Sequence, residues 1–234
     1  MAEAIAVFDL EGTLCPSGGI LWRAILKKQI GRGYGIGKVI LHATLQIVTA
    51  FCYKARLVDA STVRRTITKS LAALLKGFTE DEVSQHAQLI AEKYTTRLRP
   101  DMERILQHHK LQRHTVVLVS GMFQPYLEAV GQKLGVDVII GTKLEKISGY
   151  YTGRLEGAPC VSEQRVQMLK DLIGTIGLEV NLSESFAYGD TISDKPVLEM
   201  VGNPVAVYPD PEFEAYAKAR GWRVIVASAS KPPN

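Results

Sequence analysis

Short apolar runs that end in polar or glycine residues recur along the chain, and each predicts a buried β-strand. The first run is Ile5–Phe8, and later runs occupy residues 115–119, 136–141, 186–189, 204–208 and 223–227. Helical periodicity fills the intervals between the later runs. Because strands that alternate with helices favour parallel pairing, the pattern predicts an α/β fold with a doubly wound parallel sheet.

A purely helical pattern interrupts this alternation directly after the first strand. Apolar residues three or four positions apart predict four helices, over residues 20–31, 36–54, 60–76 and 79–97. Thr79 with Glu82 three positions later fits a capping box at the start of the last helix. The sequence therefore predicts an all-α helical cap domain of residues 15–97, inserted into a core domain of residues 1–14 and 98–234.

The predicted helix 36–54 is apolar over about the length of a membrane span. Lys38, His42 and Gln46 recur four positions apart, however, and they form a polar stripe that a membrane span would not carry. We interpret the segment as an amphipathic helix that lines the cap. The alternative is a peripheral contact with a membrane or with an amphiphilic phosphorylated substrate. No integral membrane segment is expected.

The composition is typical of a globular enzyme, since 46% of the 234 residues are hydrophobic and 22% are charged. The net charge of +4 suits an anionic substrate, but lysine and arginine are scattered, which argues against a nucleic-acid partner. The three cysteines lack Cys-x-x-Cys spacing, so we expect reduced thiols in a cytoplasmic protein. His108, His109 and His114 are expected at the surface, without a chemical role. The sequence leaves the oligomeric state open.

Carboxylates follow two of the predicted strands. Asp9 and Glu11 come directly after the first strand, and Asp190 and Asp194 follow the strand at 186–189. An ionised carboxylate at the end of a buried strand costs free energy unless it is paired or bound to a metal. Two carboxylates on the same face of an extended segment therefore indicate a site for a cation or a phosphoryl group.

Other polar residues are expected to converge on these carboxylates. Ser120 and Gly121 follow the strand at 115–119, and Arg165 lies near the start of a predicted helix. In a parallel α/β sheet, ligands bind beyond the carboxyl ends of the strands. We therefore expect Asp9, Ser120, Arg165 and Asp190 to be neighbours in the fold.

These segments resemble the four motifs of the haloacid dehalogenase superfamily of aspartate-based phosphohydrolases, most closely its phosphoserine-phosphatase-like branch. The family motif Asp-x-Asp-Gly-Thr resembles residues 9–13, and its strand ending in Ser or Thr resembles the strand before Ser120. Its helix-start Lys falls on Arg165, and Gly-Asp-x-x-x-Asp matches residues 189–194. The resemblance extends over the whole chain and implies a Rossmann-like core with a helical cap inserted after the first motif.

The resemblance implies a Mg²⁺-dependent phosphatase that hydrolyses a small phosphorylated substrate through an aspartyl-phosphate intermediate. In that mechanism Asp9 is the nucleophile, and Glu11 is the general acid that later activates water. Asp9, Asp190 and the backbone carbonyl of Glu11 are the implied magnesium ligands.

The same resemblance implies how the phosphate group is held. Ser120, the Gly121 amide and the Thr13 hydroxyl are expected to bind phosphate oxygens, and Arg165 is expected to neutralise charge between phosphate and nucleophile. Asp194 is expected to orient a metal-bound water or Arg165 without touching the substrate.

Two residues depart from the family pattern. Glu11 stands where the family usually has Asp, which moves the carboxyl group outward by one methylene group, as in the enolase-phosphatase branch. Arg165 stands where the family has Lys, and a planar guanidinium is not equivalent to an ammonium group. Two alternatives to hydrolysis stay open. One is phosphoryl transfer to an acceptor alcohol, and the other is a catalytically weak binding protein, which these two departures make conceivable.

The substrate is expected to differ from phosphoserine. Phosphoserine phosphatases carry an acidic residue shortly after the first motif that binds the substrate amine, whereas residues 15–19 contain no carboxylate. The cap presents apolar residues together with Trp22, Arg23, Tyr53 and Arg56. This composition indicates an acid-bearing or partly apolar phosphomonoester.

Overall fold

The computed structural model describes residues 3–31, 60–177 and 179–226, together with residues 44 and 48. Its strands are β1 (Ile5–Phe8), β2 (Thr115–Phe123), β3 (Val138–Thr142), β4 (Leu144–Ile147), β5 (Tyr150–Leu155), β6 (Phe186–Gly189), β7 (Asn203–Val207) and β8 (Arg223–Ile225). Its longer helices are α1 (Ile20–Gly31), α2 (Ala60–Ala73), α3 (Glu80–Thr95), α4 (Pro100–Leu111), α5 (Gln124–Leu134) and α6 (Glu163–Ile176). A 3-10 turn (Ile192–Asp194) and two short helices, α7 (Lys195–Leu198) and α8 (Pro211–Ala219), complete the series.

Six of the strands form one sheet in the order β3-β2-β1-β6-β7-β8. All of its neighbouring strands are parallel, which confirms the predicted doubly wound α/β fold. The chain builds the sheet outward from the central β1, first to one side and then to the other. Open α/β sheets bind ligands at such a reversal of strand order, beyond the carboxyl ends of the strands. The topology therefore places a binding crevice at the end of β1.

Alternate side chains of β1 face two different apolar cores. Ala6 and Phe8 pack in a core that also contains residues of α1 and α3, whereas Ile5 and Val7 pack in a core with α6 and α8. Because successive side chains of a strand point to opposite faces, a strand that is covered on both sides is apolar throughout. This explains why the first run of the sequence shows no polar alternation.

Helices α1, α2 and α3 occupy the predicted cap segment, and the predicted helix at 60–76 ends earlier, at Ala73. The predicted capping box is confirmed, because the amides of Glu82 and Thr79 donate to each other's side chains at 3.1 and 2.9 Å. The polar stripe predicted on helix 36–54 lies outside the described residues. Within the described part of the chain, no helix is long and apolar enough to span a membrane.

Strand β2 is longer than the sequence predicted. It continues past Val119 to Phe123, and its register with β3 shifts between these two residues. Ser120 and Gly121 therefore lie in an irregular stretch of the strand, not after its end. Such an irregularity frees side chains and backbone amides from the regular ladder, and it is common beside active sites.

The prediction that His109 lies at the surface was wrong. Only 3% of its surface is exposed, because His109 shares the buried stripe of α4 with Met102 and Leu106. Its Nε2 lies 2.7 Å from the Tyr188 hydroxyl, and its Nδ1 lies 2.8 Å from Nδ1 of His114. Burial lowers the pKa of His109 to about 4, so the ring is neutral near pH 7.

Candidate active site

The loop after β1 holds Asp9 at the carboxyl edge of the sheet. The Asp9 amide donates to the Tyr188 carbonyl of β6 at 3.1 Å, which extends the parallel pairing by one residue. The loop then turns back, since the Gly12 amide donates to the Cys15 carbonyl at 2.7 Å. Gly12 has a φ of +97°, and a Cβ there would lie 1.9 Å from Oδ2 of Asp190. The glycine is therefore required both by the turn and by the close approach of Asp190.

A pocket of about 360 Å³ opens at this edge. It is lined by most of the residues that the sequence predicted for the site, namely Asp9, Glu11, Ser120, Gly121, Arg165, Asp190 and Asp194. They come from the ends of β1 and β6, from the irregular part of β2 and from the first turn of α6. The structure thus brings together side chains that lie up to 185 positions apart in the sequence.

Thr13 is the predicted site residue that does not line this pocket. It is fully buried, and its hydroxyl donates to Oδ1 of Asp190 at 3.5 Å. Thr13 therefore lies beneath the carboxylates, where it contacts one of them from the protein interior. The sequence motif alone could not distinguish this position from one on the pocket wall.

Arg165 bridges two carboxylates at the base of the pocket. Its Nη2 lies 3.2 Å from Oδ1 of Asp9, its Nη1 contacts Oδ1 of Asp194, and its Nε donates to the Cys160 carbonyl at 3.2 Å. Only 5% of the residue is exposed. Burial alone would lower the pKa of Arg165, but the carboxylates of Asp9 and Asp194 outweigh it and raise that pKa. The group is therefore a fixed cation whose planar fork spans both partners.

Asp194 organises the turn that carries Asp190. Its Oδ2 accepts hydrogen bonds from the amides of Asp190 and Thr191 at 3.2 and 3.0 Å, while its other oxygen contacts Arg165. The side chain packs closely on the strand end, since a Cβ at Gly189 would lie 2.5 Å from the Asp194 Cβ. With both oxygens engaged, Asp194 can fix the positions of Arg165 and Asp190.

Burial raises the pKa values of three carboxyl groups that line the pocket, Asp9, Glu11 and Asp190. For Asp9 the largest cause is burial, which Arg165 opposes and the neighbouring carboxylates reinforce. Burial and then Asp194 raise the pKa of Asp190 to about 7, while Arg64 acts in the opposite direction. Burial also raises the pKa of Glu11. Burial thus disfavours the ionised forms of these carboxyl groups, and a bound cation would favour them.

The residues fit a magnesium ion in their chemistry. Asp9 and Asp190 present oxygen atoms, the ligands that Mg²⁺ prefers. Gly12 has no side chain, which leaves room for the carboxylate of Asp190 beside the loop. Among the described residues, no group of three or more His, Cys, Asp or Glu side chains could hold a metal ion. A magnesium site at this edge therefore needs a backbone carbonyl, such as that of Glu11, and water in addition to the two carboxylates.

Helices α1 and α2 form the opposite wall of the pocket with residues that the sequence did not single out. Leu21 and Trp22 come from α1, while Arg64, Ile67 and Leu71 come from α2. The α2 residues follow a helical spacing, so an arginine within the apolar stripe of a helix was the available signal. Of the cap residues named from the sequence, Trp22 lines the pocket, Arg23 is exposed, and Tyr53 and Arg56 lie outside the described residues.

Arg64 of α2 brings a positive charge into the pocket, beside the turn that carries Asp190. Its Nη2 donates to the Thr191 hydroxyl at 3.3 Å, beside Asp190. Among the described residues it has no carboxylate within ion-pair distance. Its neighbour Arg65 is exposed and does not line the pocket.

A residue of α3 that the sequence did not indicate contacts the carboxyl group of Glu11. The hydroxyl of Tyr94, in the last turn of α3, donates to Oε1 of Glu11 at 2.8 Å. Tyr94 is fully buried. Nothing in the spacing of the chain connects these two residues, which lie 83 positions apart.

Comparisons with known proteins identify the family to which the chain belongs. The model of the haloacid dehalogenase-like hydrolase family matches residues 6–199. A histidinol-phosphatase from Neisseria meningitidis serogroup C (strain 8013) is 31% identical over 157 residues, which cover 66% of this chain and 71% of that protein.

Solved structures show the same fold. A protein with unknown function from Bordetella pertussis Tohama I has a TM-score of 0.80 and 24% identity, with 96% of this chain and 99% of that chain covered. A probable phosphoserine phosphatase from Vibrio cholerae has a TM-score of 0.66 and 20% identity, with 96% of this chain and 61% of that chain covered. Fold and site together define a hydrolase with a Rossmann-like core. The chain belongs to the haloacid dehalogenase-like hydrolase family, and it is a phosphatase of that family.

Proposed function

We propose that the protein hydrolyses a small phosphomonoester through a covalent aspartyl-phosphate formed on Asp9. The observation that carries this proposal is the contact between Arg165 and one carboxylate oxygen of Asp9, at 3.2 Å, within the pocket. The contact favours the ionised form of a buried carboxylate and leaves its second oxygen available for attack.

In the first step, the free oxygen of Asp9 forms a bond to phosphorus as the bond to the leaving oxygen breaks. The electron pair of the broken bond stays on the leaving oxygen, which takes a proton from the carboxyl group of Glu11. Burial raises the pKa of Glu11, so a larger fraction of this group is protonated than of an exposed glutamate at the same pH.

In the second step, water replaces the aspartyl group. The carboxylate of Glu11 takes a proton from the water while the water oxygen forms a bond to phosphorus. The bond between phosphorus and the Asp9 oxygen breaks at the same time. This returns the Asp9 carboxylate and the Glu11 carboxyl group and releases inorganic phosphate.

Phosphate oxygens are held by groups on three elements. We assign the Ser120 hydroxyl and the Gly121 amide, in the irregular part of β2, together with the guanidinium of Arg165. Fixed donors of this kind stabilise the charge that builds up on the oxygens in the transition state. We assign Thr13 to the support of Asp190, because its hydroxyl faces that carboxylate and not the pocket.

We infer that Mg²⁺ is the cofactor, held by Asp9, Asp190 and the backbone carbonyl of Glu11. When bound, the ion supplies positive charge that offsets the charge of the phosphoryl oxygens. Burial, and after it the charge of Asp194, raises the pKa of Asp190 to about 7. A cation bound beside Asp190 would favour its ionised form, which supports the assignment.

The substrate is proposed to carry an apolar part and a second anionic group. Leu21, Trp22, Ile67 and Leu71 supply an apolar wall, and Arg64 supplies a cation. Among the described residues of the segment 15–97, those that line the pocket include no carboxylate. We therefore propose a substrate other than phosphoserine, as residues 15–19 also indicate. We also infer that residues 15–97 act as the cap over a core of residues 1–14 and 98–234.

Phosphate release from a panel of phosphomonoesters tests the proposal. The panel includes phenyl phosphate, its carboxylated analogue, phosphoserine and histidinol phosphate, each with Mg²⁺ or with EDTA and with or without an acceptor alcohol. We expect Mg²⁺-dependent release by the wild type and none by the Asp9→Asn variant. Activity that survives Asp9→Asn would contradict the nucleophile, and formation of phosphorylated acceptor in place of phosphate would make the enzyme a transferase.

A further inference from the structure

We propose that Tyr94 is a positioning residue that orients the carboxyl group of Glu11 for proton transfer to the leaving oxygen. The inference rests on the proposed function, in which Glu11 is the general acid. It adds a cap residue to the machinery of the core loop, since Tyr94 belongs to α3 and Glu11 follows β1. Tyr94 acts through Glu11 and does not line the pocket.

The contact is short, and its donor is sheltered from water. The Tyr94 hydroxyl lies 2.8 Å from Oε1 of Glu11, and Tyr94 is fully buried. Burial, followed by the nearby Glu11 charge, raises the pKa of Tyr94, so the phenol keeps its proton and acts as the donor. The bond has a strong preference in direction, because the buried phenol cannot turn to water.

The direction of this bond decides which oxygen of Glu11 carries the acid proton. Oε1 accepts from Tyr94, so a proton on Oε1 would compete with the phenol proton for the same contact. The acid proton therefore resides on Oε2. Without Tyr94 the carboxyl group could rotate and exchange its two oxygens, and only a fraction of molecules would present the proton to the leaving group.

The same contact gives a physical reason for the glutamate in the first motif. An aspartate at this position would be shorter by one carbon–carbon bond of about 1.5 Å, and its carboxyl group would withdraw from the cap helix. The distance from the Tyr94 hydroxyl to the nearest carboxyl oxygen, which is 2.8 Å with glutamate, would then increase beyond the hydrogen-bonding range. The length of Glu11 and the position of Tyr94 thus belong together.

The test compares leaving groups that differ in their need for a proton. An alkyl phosphate, such as glycerol phosphate, releases an alkoxide that must be protonated, whereas p-nitrophenyl phosphate releases a stable phenolate. The constant kcat/KM reports the step in which the leaving group departs. We expect Tyr94→Phe to lower kcat/KM for the alkyl phosphate about 10- to 100-fold, within the range of general acid catalysis, and for p-nitrophenyl phosphate less than about threefold.

Tyr126→Phe is the matched control. Tyr126 is also fully buried, and its hydroxyl makes one side-chain hydrogen bond, to Nδ1 of His86 at 3.0 Å, away from the pocket. The control loses a comparable buried contact and should lower both kcat/KM values equally, if at all. Thermal unfolding of both variants shows whether each is folded in the assay.

Glu11→Asp supplies an independent variant that breaks the same contact from the other side. Glu11→Asp should show the same dependence on the leaving group. The double variant with Tyr94→Phe should be no less active than the less active of the two single variants, because both substitutions remove the same interaction. Equal losses for both substrates in Tyr94→Phe would overturn the positioning role.

The outcome also separates this inference from the proposed function. If Glu11→Gln depends on the leaving group and Tyr94→Phe does not, Glu11 is the acid and only the role of Tyr94 is wrong. If Glu11→Gln itself shows no such dependence, or the wild type releases phosphate from neither substrate, the assignment of Glu11 fails and the inference fails with it.

Discussion

The guanidinium of Arg165 lies 3.2 Å from the carboxylate of Asp9, and more than nine-tenths of each side chain is buried. A buried charge pair contributes less to stability than its distance suggests, because both charges lose their hydration. Removal of one partner is costly, since the other charge then stays buried and uncompensated. Arg165 also contacts Asp194, so its loss would leave two carboxylates without their cation.

Arg165→Met is therefore expected to lower the free energy of unfolding by about 3–5 kcal/mol and to abolish activity. Arg165→Lys should be intermediate in both respects, because an ammonium group cannot span Asp9 and Asp194 as a planar fork does. Urea denaturation at pH 7 measures the first effect. Lys218→Met, which removes an exposed ion pair with Glu214, serves as control and should leave stability nearly unchanged. A stable, active Arg165→Met variant would contradict the bridging role.

Gly12→Ala should reduce activity at least about tenfold, because the added Cβ displaces the carboxylate of Asp190. The comparison is Gly157→Ala. Gly157 also has a positive φ, of +79°, but a Cβ there would have no atom within 4 Å. Both variants pay the strain of a left-handed backbone, about 1–2 kcal/mol, in denaturation experiments. Only Gly12→Ala should lose phosphate release, and equal activity of the two variants would argue against a role for the Gly12–Asp190 contact.

Arg64→Gln is expected to separate substrates by charge. For a phosphomonoester with a second anionic group, such as 4-carboxyphenyl phosphate, KM should rise about tenfold or more with the loss of a charged hydrogen bond. For phenyl phosphate KM should change little. The neighbouring Arg65→Gln, at an exposed position, is the matched control. Equal losses for both substrates would show that Arg64 supports the Asp190 turn instead of binding the leaving group.

The contribution of His109 to stability should be lost as the pH falls from about 6.5 to about 4. Burial lowers the pKa of His109 to about 4. Between this pKa and the ordinary one of about 6.5, His109 is protonated in the unfolded chain and neutral in the folded protein. The contribution of His109, about 3 kcal/mol, is fully present above the unfolded pKa and is lost as the pH approaches the folded value. Unfolding free energies of the wild type and His109→Gln between pH 7 and pH 4 measure it.

The difference in unfolding free energy between the wild type and His109→Gln should shrink as the pH falls. His108→Gln is the control, because His108 is exposed on the same helix. The groups that face His109 are His108 and His114, with the Tyr188 hydroxyl and the ring of Phe186. An unchanged pH slope in His109→Gln would show that another buried group, such as His86, carries the effect.

The sheet and the assembly of the site could be predicted because both follow from local patterns. Strands buried on two faces are apolar throughout, and residues at the carboxyl ends of parallel strands meet at one edge. Asp9, Ser120 and Asp190 could therefore be placed together from the sequence alone. Thr13 shows the limit, since its motif gives proximity to the site but not the side from which its hydroxyl approaches.

The contributions of the cap could not be predicted in this way. Arg64 and Tyr94 reach the site from two helices whose placement over the sheet depends on tertiary packing. Periodicity defines the buried face of a helix but not the residue that this face will meet. Tyr94 in particular has the spacing of an ordinary core residue, and only the packed structure shows its hydroxyl at Glu11.

The central claim is that Asp9 becomes covalently phosphorylated. Rapid acid quenching of the enzyme during turnover of a ³²P-labelled phosphomonoester, followed by peptide mapping, tests this most directly. The account predicts acid-stable, hydroxylamine-sensitive label on the peptide that contains Asp9, and no label in the Asp9→Asn variant. Turnover without label on that peptide, or label that persists in Asp9→Asn, would contradict it.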